Sequence, residues 1–385
     1  MISSLFLIPF GTNVGYAISS LETLFYQAGV EMAQGDQSRV HFAYQGFKKG
    51  RPNSLPSTFF NLLEANYSEG QPQAAMNESI SLVADYVRKH DIRFVMFFDI
   101  QPIHPIFRAL RKSGATSIVS YWGAPMSSLM PPWKLMLKRL EVMMSTSRLD
   151  GLIFESHAMA KLATHGRGVP PGMIDVVPLG IDLDSFKPQS SSYVYTIMPF
   201  PRNRRVIVYS GHMERRKGVH VLVEAAKELL LQRKREDVCF LLCGNAEGQS
   251  LEYEQMYEGL GIDEFIKFGG YRPDLAQIYP SCFCGVIPSS GWDSFPRTSL
   301  EMAASGLPVI GSRLGGLPEA IVERETGLLF DSGDAGQLAD RIEMLLDNPR
   351  LAEEYGRKGR ERCVRELNLK NQFDRLMAAF RRHIH

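Results

Sequence analysis

The sequence is poor in the features that mark secreted, membrane-spanning or nucleic-acid-binding chains. Its 385 residues include only five cysteines, all in the C-terminal half, and 43 Lys and Arg stand against 42 Asp and Glu. No apolar run reaches the about 20 residues needed to span a bilayer, and the N-terminus lacks the basic segment that opens a signal peptide. A net charge of +1 provides no global attraction to nucleic acid. We therefore expect a cytoplasmic globular protein with reduced thiols and no nucleic-acid partner.

Two familiar kinds of site are also missing from the sequence. No G-x-G-x-x-G motif follows the first strand-like run, which disfavours a Rossmann dehydrogenase. Cys282 and Cys284 are separated by a single residue, but no second pair completes a zinc site. Neither a metal nor a redox cofactor is therefore expected.

Apolar runs with the length of strands alternate with helical patterns along the whole chain. This order is typical of α/β proteins with parallel sheets, and 385 residues suit two domains of about 100–200 residues each. The predicted strands are Ser4–Phe10, Val40–Tyr44, Phe94–Phe98, Ser117–Tyr121, Gly151–Phe154, Ile174–Val177, Val206–Ser210, Val238–Cys243, Ile266–Phe268, Cys284–Ile287, Leu307–Gly311 and Gly327–Phe330. A linker at 178–205 divides them, so we predict two Rossmann-like domains, residues 1–178 and 179–370.

The segment Pro288–Phe330 carries the pattern with the most chemical content. Phe295-Pro296 suits the first turn of a helix, and Ser305-Gly306 before Pro308 ends that helix. The free N–H groups at 295–298 would carry partial positive charge and suit a phosphate. Asp293 and Glu301 flank this helix start and are expected to accept hydrogen bonds from sugar hydroxyls. An ordinary capped surface helix with two acids remains the alternative at this point.

Three loops follow strand-like runs and are rich in glycine or charge. They are Gly11–Gly15, Gly211–Gly218 and Ser289–Pro296. In open α/β sheets, ligands bind beyond the carboxyl ends of the strands. Two domains that face each other with such loops would form a ligand-binding cleft between them.

The stretch Pro131–Met144 combines apolar side chains with Trp133, Lys134, Lys138 and Arg139. Such a helix can lie on a membrane surface. It can also be a domain helix whose basic side chains extend to water along apolar stems, and the sequence favours this interpretation. Peripheral contact with a membrane therefore stays open.

Taken in order, the motifs resemble the retaining GT-B glycosyltransferases of family 4, the glycosyl transferases group 1. The matching segments run from the glycine loop at Gly11 through IDVVPLGIDLDSFKP, VIVYSGHMERRKGVHVLVEAAKEL, VCFLLCGNAEG, IKFGGYRPDLAQIYPSCFCGVIPSS and DSFPRTSLEMAASGLPVIGS to GGLPEAIVERETGLLF. The resemblance covers most of the chain and is strongest in the C-terminal half. It implies an N-terminal acceptor-binding domain, a C-terminal donor-binding domain and a final helix at 371–385 that returns to the N-terminal domain.

The resemblance also implies roles for individual residues. Asp293 and Glu301 occupy the two positions of the family's acid-x7-acid motif, where the first acid lies near the transferred sugar and the second holds the ribose. Lys217 matches the lysine that neutralises the diphosphate. The other implied donor-binding residues are Gly15, Gly211, Arg216, Arg272, Ser294, Phe295, Pro296, Arg297 and Thr298.

This chain departs from the family pattern at three places. Asp293 stands where glutamate is usual, and His212 stands where an arginine is usual. A histidine has an ordinary pKa near 6.5, whereas arginine is permanently charged and bidentate. The segment Tyr121–Pro125 also lacks the histidine that the family often has there. His212 is therefore either a catalytic group facing the diphosphate or a residue of the turn.

The function implied by the resemblance is retaining transfer of a hexosyl group from a nucleoside-diphosphate sugar to a hydroxyl. The acceptor class is a sugar, a lipid-linked sugar or a small molecule, and no metal is needed because Lys217 and the helix start supply the positive charge. The oligomeric state, the base and the sugar stay open. Two other functions stay open as well, a non-catalytic nucleotide-sugar-binding subunit and a sugar-nucleotide epimerase on the same fold.

Overall fold

The computed structural model describes residues 1–47, 49–58, 60–67 and 72–384, and the chain divides into two compact units. The N-terminal unit comprises Met1–Val177 and Phe373–His385. The C-terminal unit comprises Pro178–Gln372. Each unit has its own sheet and its own apolar core.

The N-terminal unit is built on a seven-stranded parallel sheet in the order β3-β2-β1-β4-β5-β6-β7. Its strands are β1 Ser3–Gly11, β2 Val40–Gly46, β3 Leu62–Glu64, β4 Ile92–Phe98, β5 Ser117–Trp122, β6 Gly151–Phe154 and β7 Ile174–Val176. Its helices are α1 Tyr16–Met32, α2 Gln73–Lys89, α3 Pro105–Lys112, α4 Pro132–Met144 and α5 His157–Gly166. Most residues of the central strands β1 and β4 are buried, as expected for parallel strands covered on both faces.

The C-terminal unit is built on a six-stranded parallel sheet in the order β10-β9-β8-β11-β12-β13. Its strands are β8 Arg205–Ser210, β9 Val238–Cys243, β10 Ile266–Gly270, β11 Cys284–Ile287, β12 Val309–Ser312 and β13 Gly327–Phe330. Its helices are α6 Val194–Ile197, α7 Val219–Lys227, α8 Leu251–Glu254, α9 Leu275–Ile278, α10 Arg297–Ala304, α11 Leu317–Ala320, α12 Ala335–Asp347, α13 Pro349–Arg365 and α14 Leu369–His383. The last of these runs from the C-terminal unit into the N-terminal one.

The two parallel sheets with intervening helices confirm the predicted α/β class with two Rossmann-like domains. Every strand expected from the sequence is present, although the strand expected at Leu307 begins at Val309. Strand β3 was not expected, because it has only three residues, of which two are partly buried and one is exposed. Helix α7 ends at Lys227 and continues as a π-helix at Glu228–Gln232.

Two features of the composition can be followed into the structure. All five cysteines are free, and four of them are buried. Across the described part of the chain, none of the helices combines the length and apolar character required to cross a bilayer.

Candidate functional site

Three loops of the C-terminal unit meet at the carboxyl edge of its sheet. They follow the adjacent strands β8, β11 and β12 and span residues 211–218, 288–296 and 313–316. The backbone N–H groups of Ser290 and Gly291 donate to the carbonyl of Arg216 at 2.8 and 3.0 Å. The N–H of Gly316 donates to the carbonyl of Asp293 at 3.0 Å. The loops therefore hold one another by backbone hydrogen bonds.

Glycines permit these loops to approach so closely. Gly218 has φ 73°, and a Cβ added there would lie 1.7 Å from the carbonyl oxygen of Pro288. Gly315 has φ 55°, and its Cβ would lie 2.1 Å from the carbonyl oxygen of Asp293. Both positions exclude a side chain by steric contact as well as by backbone conformation.

Lys217 and Asp293 form a largely buried ion pair where the loops after β8 and β11 meet. The Lys217 Nζ lies 2.8 Å from Asp293 Oδ2, and the two side chains are 18% and 6% exposed. The Ser289 hydroxyl donates to the same carboxylate oxygen at 2.7 Å. The structure thus brings together two of the predicted site residues and supplies Asp293 with a cation as well as a hydroxyl.

Arg216 lies beside this pair and is held by three contacts. Its guanidinium lies 4.2 Å from the centre of the Trp292 ring, and its Nη1 donates to the Trp292 carbonyl at 3.3 Å. Its Nε donates to Glu214 at 2.6 Å. Arg215, Arg216 and Lys217 form a single turn of 3₁₀-helix, so three cations lie together on one loop.

The predicted helix start is present, but it lies slightly later than expected. Pro296 is the N-cap, and α10 begins at Arg297, so the exposed end of the helix has its first N–H groups at 297–299. This corrects the predicted range 295–298, since Pro296 has no N–H and Phe295 precedes the helix. Ser299 N–H already bonds to the Pro296 carbonyl at 3.1 Å. Arg297 and Thr298 are therefore the first two residues of the helix at this end.

Ser294 and Phe295 lie in the approach to α10 and are both buried. Phe295 is only 2% exposed, so its ring packs in the interior and only its backbone can serve a ligand. The hydroxyl-bearing Ser294 is 7% exposed. Both residues continue the loop that carries Asp293.

Glu301 lies one turn into α10 and is only 3% exposed. Burial raises the pKa of its carboxyl to about 7, although the nearby Arg297 and a hydrogen bond from Tyr279 act in the opposite direction. The Tyr279 hydroxyl lies 3.4 Å from Glu301 Oε2 and 2.6 Å from the Ser210 hydroxyl at the end of β8. A chain of hydroxyl groups therefore links β8 to the acid.

His212 and Gly211 begin the loop after β8. The Gly211 N–H donates to the Cys243 carbonyl at 3.1 Å, which keeps this loop beside the end of β9. The His212 side chain is exposed, and its carbonyl accepts a hydrogen bond from the Tyr209 hydroxyl at 2.7 Å. His212, Met213 and Glu214 line a shallow pocket of about 330 Å³ together with residues of the 248–252 segment.

Arg272 lies apart from Lys217 within the C-terminal unit, whereas Gly15 belongs to the other unit. The Arg272 Nε donates to Asp274 at 2.8 Å, and Asp274 also accepts from the Tyr193 hydroxyl at 2.8 Å. Arg272 thus lies at the end of β10, two strands from β8. Gly15 belongs to the N-terminal unit, where it is the N-cap of α1 with φ 143°.

Four polar neighbours of the site escaped prediction from the sequence. They are Ser210, Glu214, Tyr279 and Ser289. Ser289 lies in the same loop as Asp293 and could have been found from its position four residues upstream. Tyr279 and Ser210 have no such local signal, because only the parallel pairing of the strands brings them to Glu301.

No group of His, Cys, Asp and Glu side chains suited to a metal ion occurs among the residues that the structure describes. The positive charge at the loops comes from Arg215, Arg216 and Lys217 together with the start of α10.

Comparison with known sequences finds a family match in the C-terminal part of the chain. Residues 197–362 match the family model described as glycosyl transferases group 1. The chain is 33% identical over 214 residues to a D-inositol 3-phosphate glycosyltransferase of Corynebacterium urealyticum, covering 53% of this chain and 50% of that protein. It is 35% identical over 190 residues to the protein of the same name from Corynebacterium jeikeium, covering 46% of this chain and 45% of that one. The chain therefore spans about half the length of these relatives.

Comparison with solved structures covers both units. A glycosyltransferase from Rickettsia africae matches 99% of this chain and 98% of its own, with a TM-score of 0.81 and 16% identity. The Anabaena protein Alr3699/HepE, solved in complex with UDP, matches 99% of this chain and 100% of its own, with a TM-score of 0.76 and 16% identity. At such low identity the likeness concerns the fold, and it confirms the expected GT-B class.

The family model covers the loops that carry Lys217 and Asp293 and the helix that carries Glu301, and the relatives named above are glycosyltransferases. The resemblance noted from the motifs to group 1 glycosyltransferases is thereby confirmed. Residues 197–362 are thus similar to the glycosyl transferases group 1 family, and the whole chain has the GT-B fold.

Proposed function

We propose that the chain is a retaining glycosyltransferase that moves a hexosyl group from a nucleoside-diphosphate sugar to an acceptor hydroxyl. The observation that supports this most is the meeting of Lys217, Asp293 and the start of α10 at the carboxyl edge of the C-terminal sheet. Positive charge and N–H dipoles lie there beside two acids, which suits a diphosphate linked to two sugars. Five free thiols and the use of a nucleotide sugar suit a cytoplasmic location.

The chemistry asked of the protein is stabilisation of a leaving group. When the bond between the sugar and the diphosphate breaks, negative charge grows on the phosphate oxygen. Lys217, with Arg215 or Arg216 beside it, and the N–H groups of Arg297 and Thr298 would balance that charge. We propose that the departing phosphate oxygen takes the proton of the acceptor on the same face of the sugar, so that no side-chain nucleophile and no metal is required.

Asp293 and Glu301 would bind the two sugars of the donor. Glu301 is buried and lies next to a hydroxyl group. Such surroundings suit a carboxylate that accepts hydrogen bonds from ribose hydroxyls. Asp293 would accept from hydroxyls of the transferred sugar while it also orients Lys217. Because Asp293 is one methylene shorter than the usual glutamate, it is the position where we expect donor preference to differ.

The base and the acceptor are proposed from the relatives. Uridine is favoured because the Anabaena neighbour was solved with UDP and with UDP-glucose. A polyol or polyol phosphate acceptor is favoured because the sequence relatives are named D-inositol 3-phosphate glycosyltransferases. Sugars and lipid-linked sugars remain acceptors to be compared with it.

Thermal-shift measurements with UDP, GDP, ADP and their sugars test the donor site. A ligand at 100 times its dissociation constant stabilises the folded state by about 2.7 kcal/mol, so a true donor raises the melting temperature measurably. Turnover with a polyol acceptor, followed by the anomeric configuration of the product in the NMR spectrum, tests retention. An inverted product would overturn the retaining mechanism, and the absence of any nucleotide-induced shift would overturn the donor site.

The variant Lys217→Ala tests the proposed role of Lys217 in stabilising the leaving group. We expect it to lower kcat/KM by about 100-fold or more, because charge stabilisation of a leaving group contributes about 2.7–4 kcal/mol per donor in other enzymes. Lys227→Ala is the control, since Lys227 lies in the same unit and pairs with Glu224 on α7. Equal activity of the two variants would remove Lys217 from the proposed mechanism.

A second candidate function is a nucleotide-sugar-binding subunit without turnover. It is favoured by one observation, that Lys217 is engaged by Asp293 instead of standing unpaired beside the helix start. Donor-induced stabilisation without product formation over any acceptor would support this function in place of the first.

A further inference from the structure

Helix α4 exposes an apolar stripe that the donor site does not use. Its exposed side chains are Trp133 (60%), Met136 (61%), Leu137 (55%), Leu140 (47%), Met143 (53%) and Met144 (79%). At 3.6 residues per turn these six positions fall within an arc of about 120° on the helix. Scattered apolar side chains are normal on a protein surface, but a contiguous stripe of this kind indicates a binding surface.

The opposite side of α4 is fixed to the N-terminal unit. Val142 is only 2% exposed and packs inward. Gly168, at φ 75°, lies so close that a Cβ added there would be 2.6 Å from the backbone nitrogen of Arg139. Just before the helix, the Met130 N–H donates to the His165 carbonyl at 3.0 Å. The apolar stripe therefore cannot turn inward without breaking this close backbone packing.

The charge around the stripe is positive. Residues 129–148 contain four cations, Lys134, Lys138, Arg139 and Arg148, and a single acid, Glu141, which gives a formal charge of +3. Lys138 pairs with Glu141 at 2.6 Å. The whole chain has a net charge of only +1, so this is a local surplus. On the helix, Glu141 and Lys134 lie beside one edge of the stripe with Lys138 beyond them, and Arg139 lies beyond the other edge.

We propose that α4 docks on the surface of an anionic phospholipid membrane. Its apolar stripe would enter the boundary between headgroups and acyl chains, and its lysines and arginines would contact lipid phosphates. A helix of 13 residues is too short to span a bilayer, so it would lie in the plane of the interface, with Trp133 at headgroup depth.

A second copy of the chain is a poorer occupant for this surface. A two-fold dimer places the same patch on both subunits, and two segments of formal charge +3 would then face each other. Anionic lipid offers both the apolar layer and the complementary charge. Docking of this kind is independent of the donor chemistry, so it can fail while the proposed transferase activity stands.

The test is co-sedimentation of the full chain with phosphatidylcholine vesicles that contain or lack phosphatidylglycerol. We expect binding to the vesicles with phosphatidylglycerol, weaker binding as salt rises, and much less binding to pure phosphatidylcholine. No binding to either vesicle would overturn the proposal, and so would binding that ignores both salt and phosphatidylglycerol.

The double variant Met136→Ser/Leu140→Ser removes two side chains from the stripe without changing the charge. We expect its vesicle partition coefficient to fall by about tenfold or more, since each apolar side chain withdrawn from the interface weakens burial. The control Leu82→Ser/Val364→Ser alters two side chains of similar exposure, 45% and 50%, on other helices. Melting curves establish that both variants are folded. Equal loss in the two variants would overturn the assignment to α4.

Analytical ultracentrifugation without lipid tests whether a second copy of the chain covers the stripe instead. We expect the chain and the α4 variant to show the same oligomeric state. A dimer that Met136→Ser/Leu140→Ser dissociates, together with failure to bind vesicles, would assign the stripe to a second copy of the chain and overturn the lipid proposal.

Discussion

At the scale of single residues, Glu301 shows what the sequence can and cannot reveal about this site. Its spacing from Asp293 and its place in a helix mark it as a candidate. Its surroundings cannot be read from spacing, because Tyr279 lies 22 residues upstream and Ser210 lies on a different strand. Burial among these groups raises the pKa of Glu301 to about 7, and this consequence depends wholly on tertiary packing.

The raised pKa of Glu301 makes stability depend on pH. Its ordinary value is 4.5 in the unfolded chain and about 7 in the folded one, so the folded state binds the proton more readily between these values. Stability is therefore greater below the unfolded pKa and falls as pH rises through the folded pKa. Glu301→Gln carries no charge to bury. At about pH 8 we therefore expect its free energy of unfolding to exceed that of the wild type by a few kcal/mol, and its melting temperature to be higher.

Melting curves from about pH 5 to about pH 8 measure this effect as the difference between wild type and variant. The difference should be small at the acid end and grow toward neutral pH. The exposed Glu258→Gln is the control and should follow the wild type. A constant difference between wild type and Glu301→Gln across the range would contradict a buried acid that ionises near neutrality.

Asp293 is a second residue whose contacts could not be predicted from the sequence. The sequence indicates a shortened acid of the motif, and the structure adds an ion pair with Lys217 and a hydrogen bond from Ser289. Lys217 was expected near the diphosphate and Asp293 near the sugar. Their spacing in the sequence did not indicate that the two side chains would form an ion pair. Residues 76 apart in sequence meet because β8 and β11 are neighbours in the sheet.

At the scale of elements, strands were easier to predict than the loops that carry the chemistry. Buried parallel strands appear as continuous apolar runs, so their positions could be predicted to within a few residues. The start of α10 was predicted too early. Phe295-Pro296 can occupy the first turn of a helix, but it can equally well lie just before that turn, as it does here. The interlocking of the loops after β8 and β11 could not be predicted, because it depends on glycines whose neighbours lie far away in sequence.

Gly218 provides the test of that interlocking. We expect Gly218→Ala to cost about 3 kcal/mol or more, because its Cβ would meet the Pro288 carbonyl in addition to an unfavourable backbone conformation. The displaced loops should also lose the stabilisation by nucleoside diphosphates. Thermal unfolding with and without UDP measures both effects.

Gly248→Ala is a matched control for Gly218→Ala. Gly248 has φ 79°, close to the 73° of Gly218, but a Cβ added there would meet nothing within 4 Å. We expect it to cost only the conformational part, about 1 kcal/mol, and to keep the response to UDP. If both variants lost stability equally, the contact with Pro288 would not be what constrains the loop.

At the scale of the whole molecule, α14 is the element shared by both units. Within the C-terminal unit, the Gln372 side chain accepts a hydrogen bond from the Gly180 N–H at 2.9 Å. Within the N-terminal unit, His383 lies 2.7 Å from Asp175, and the Phe380 ring lies 4.7 Å from the Phe94 ring. The return of this helix was expected only from the family resemblance, since composition and periodicity do not say which domain a final helix joins.

Phe380 is wholly buried in the N-terminal unit, so its loss should weaken that unit first. We expect Phe380→Ala to cost about 3–5 kcal/mol, the usual range for deleting a buried aromatic ring. Leu369→Ala is the control on the same helix, where the side chain is 45% exposed and the loss should be small.

Calorimetry with and without UDP follows both units. Because the proposed donor residues Lys217, Asp293 and Glu301 all lie in the C-terminal unit, Phe380→Ala should keep a UDP-stabilised transition while another transition moves to lower temperature. If the UDP response vanished in Phe380→Ala but persisted in Leu369→Ala, binding of the nucleotide would require the N-terminal unit as well.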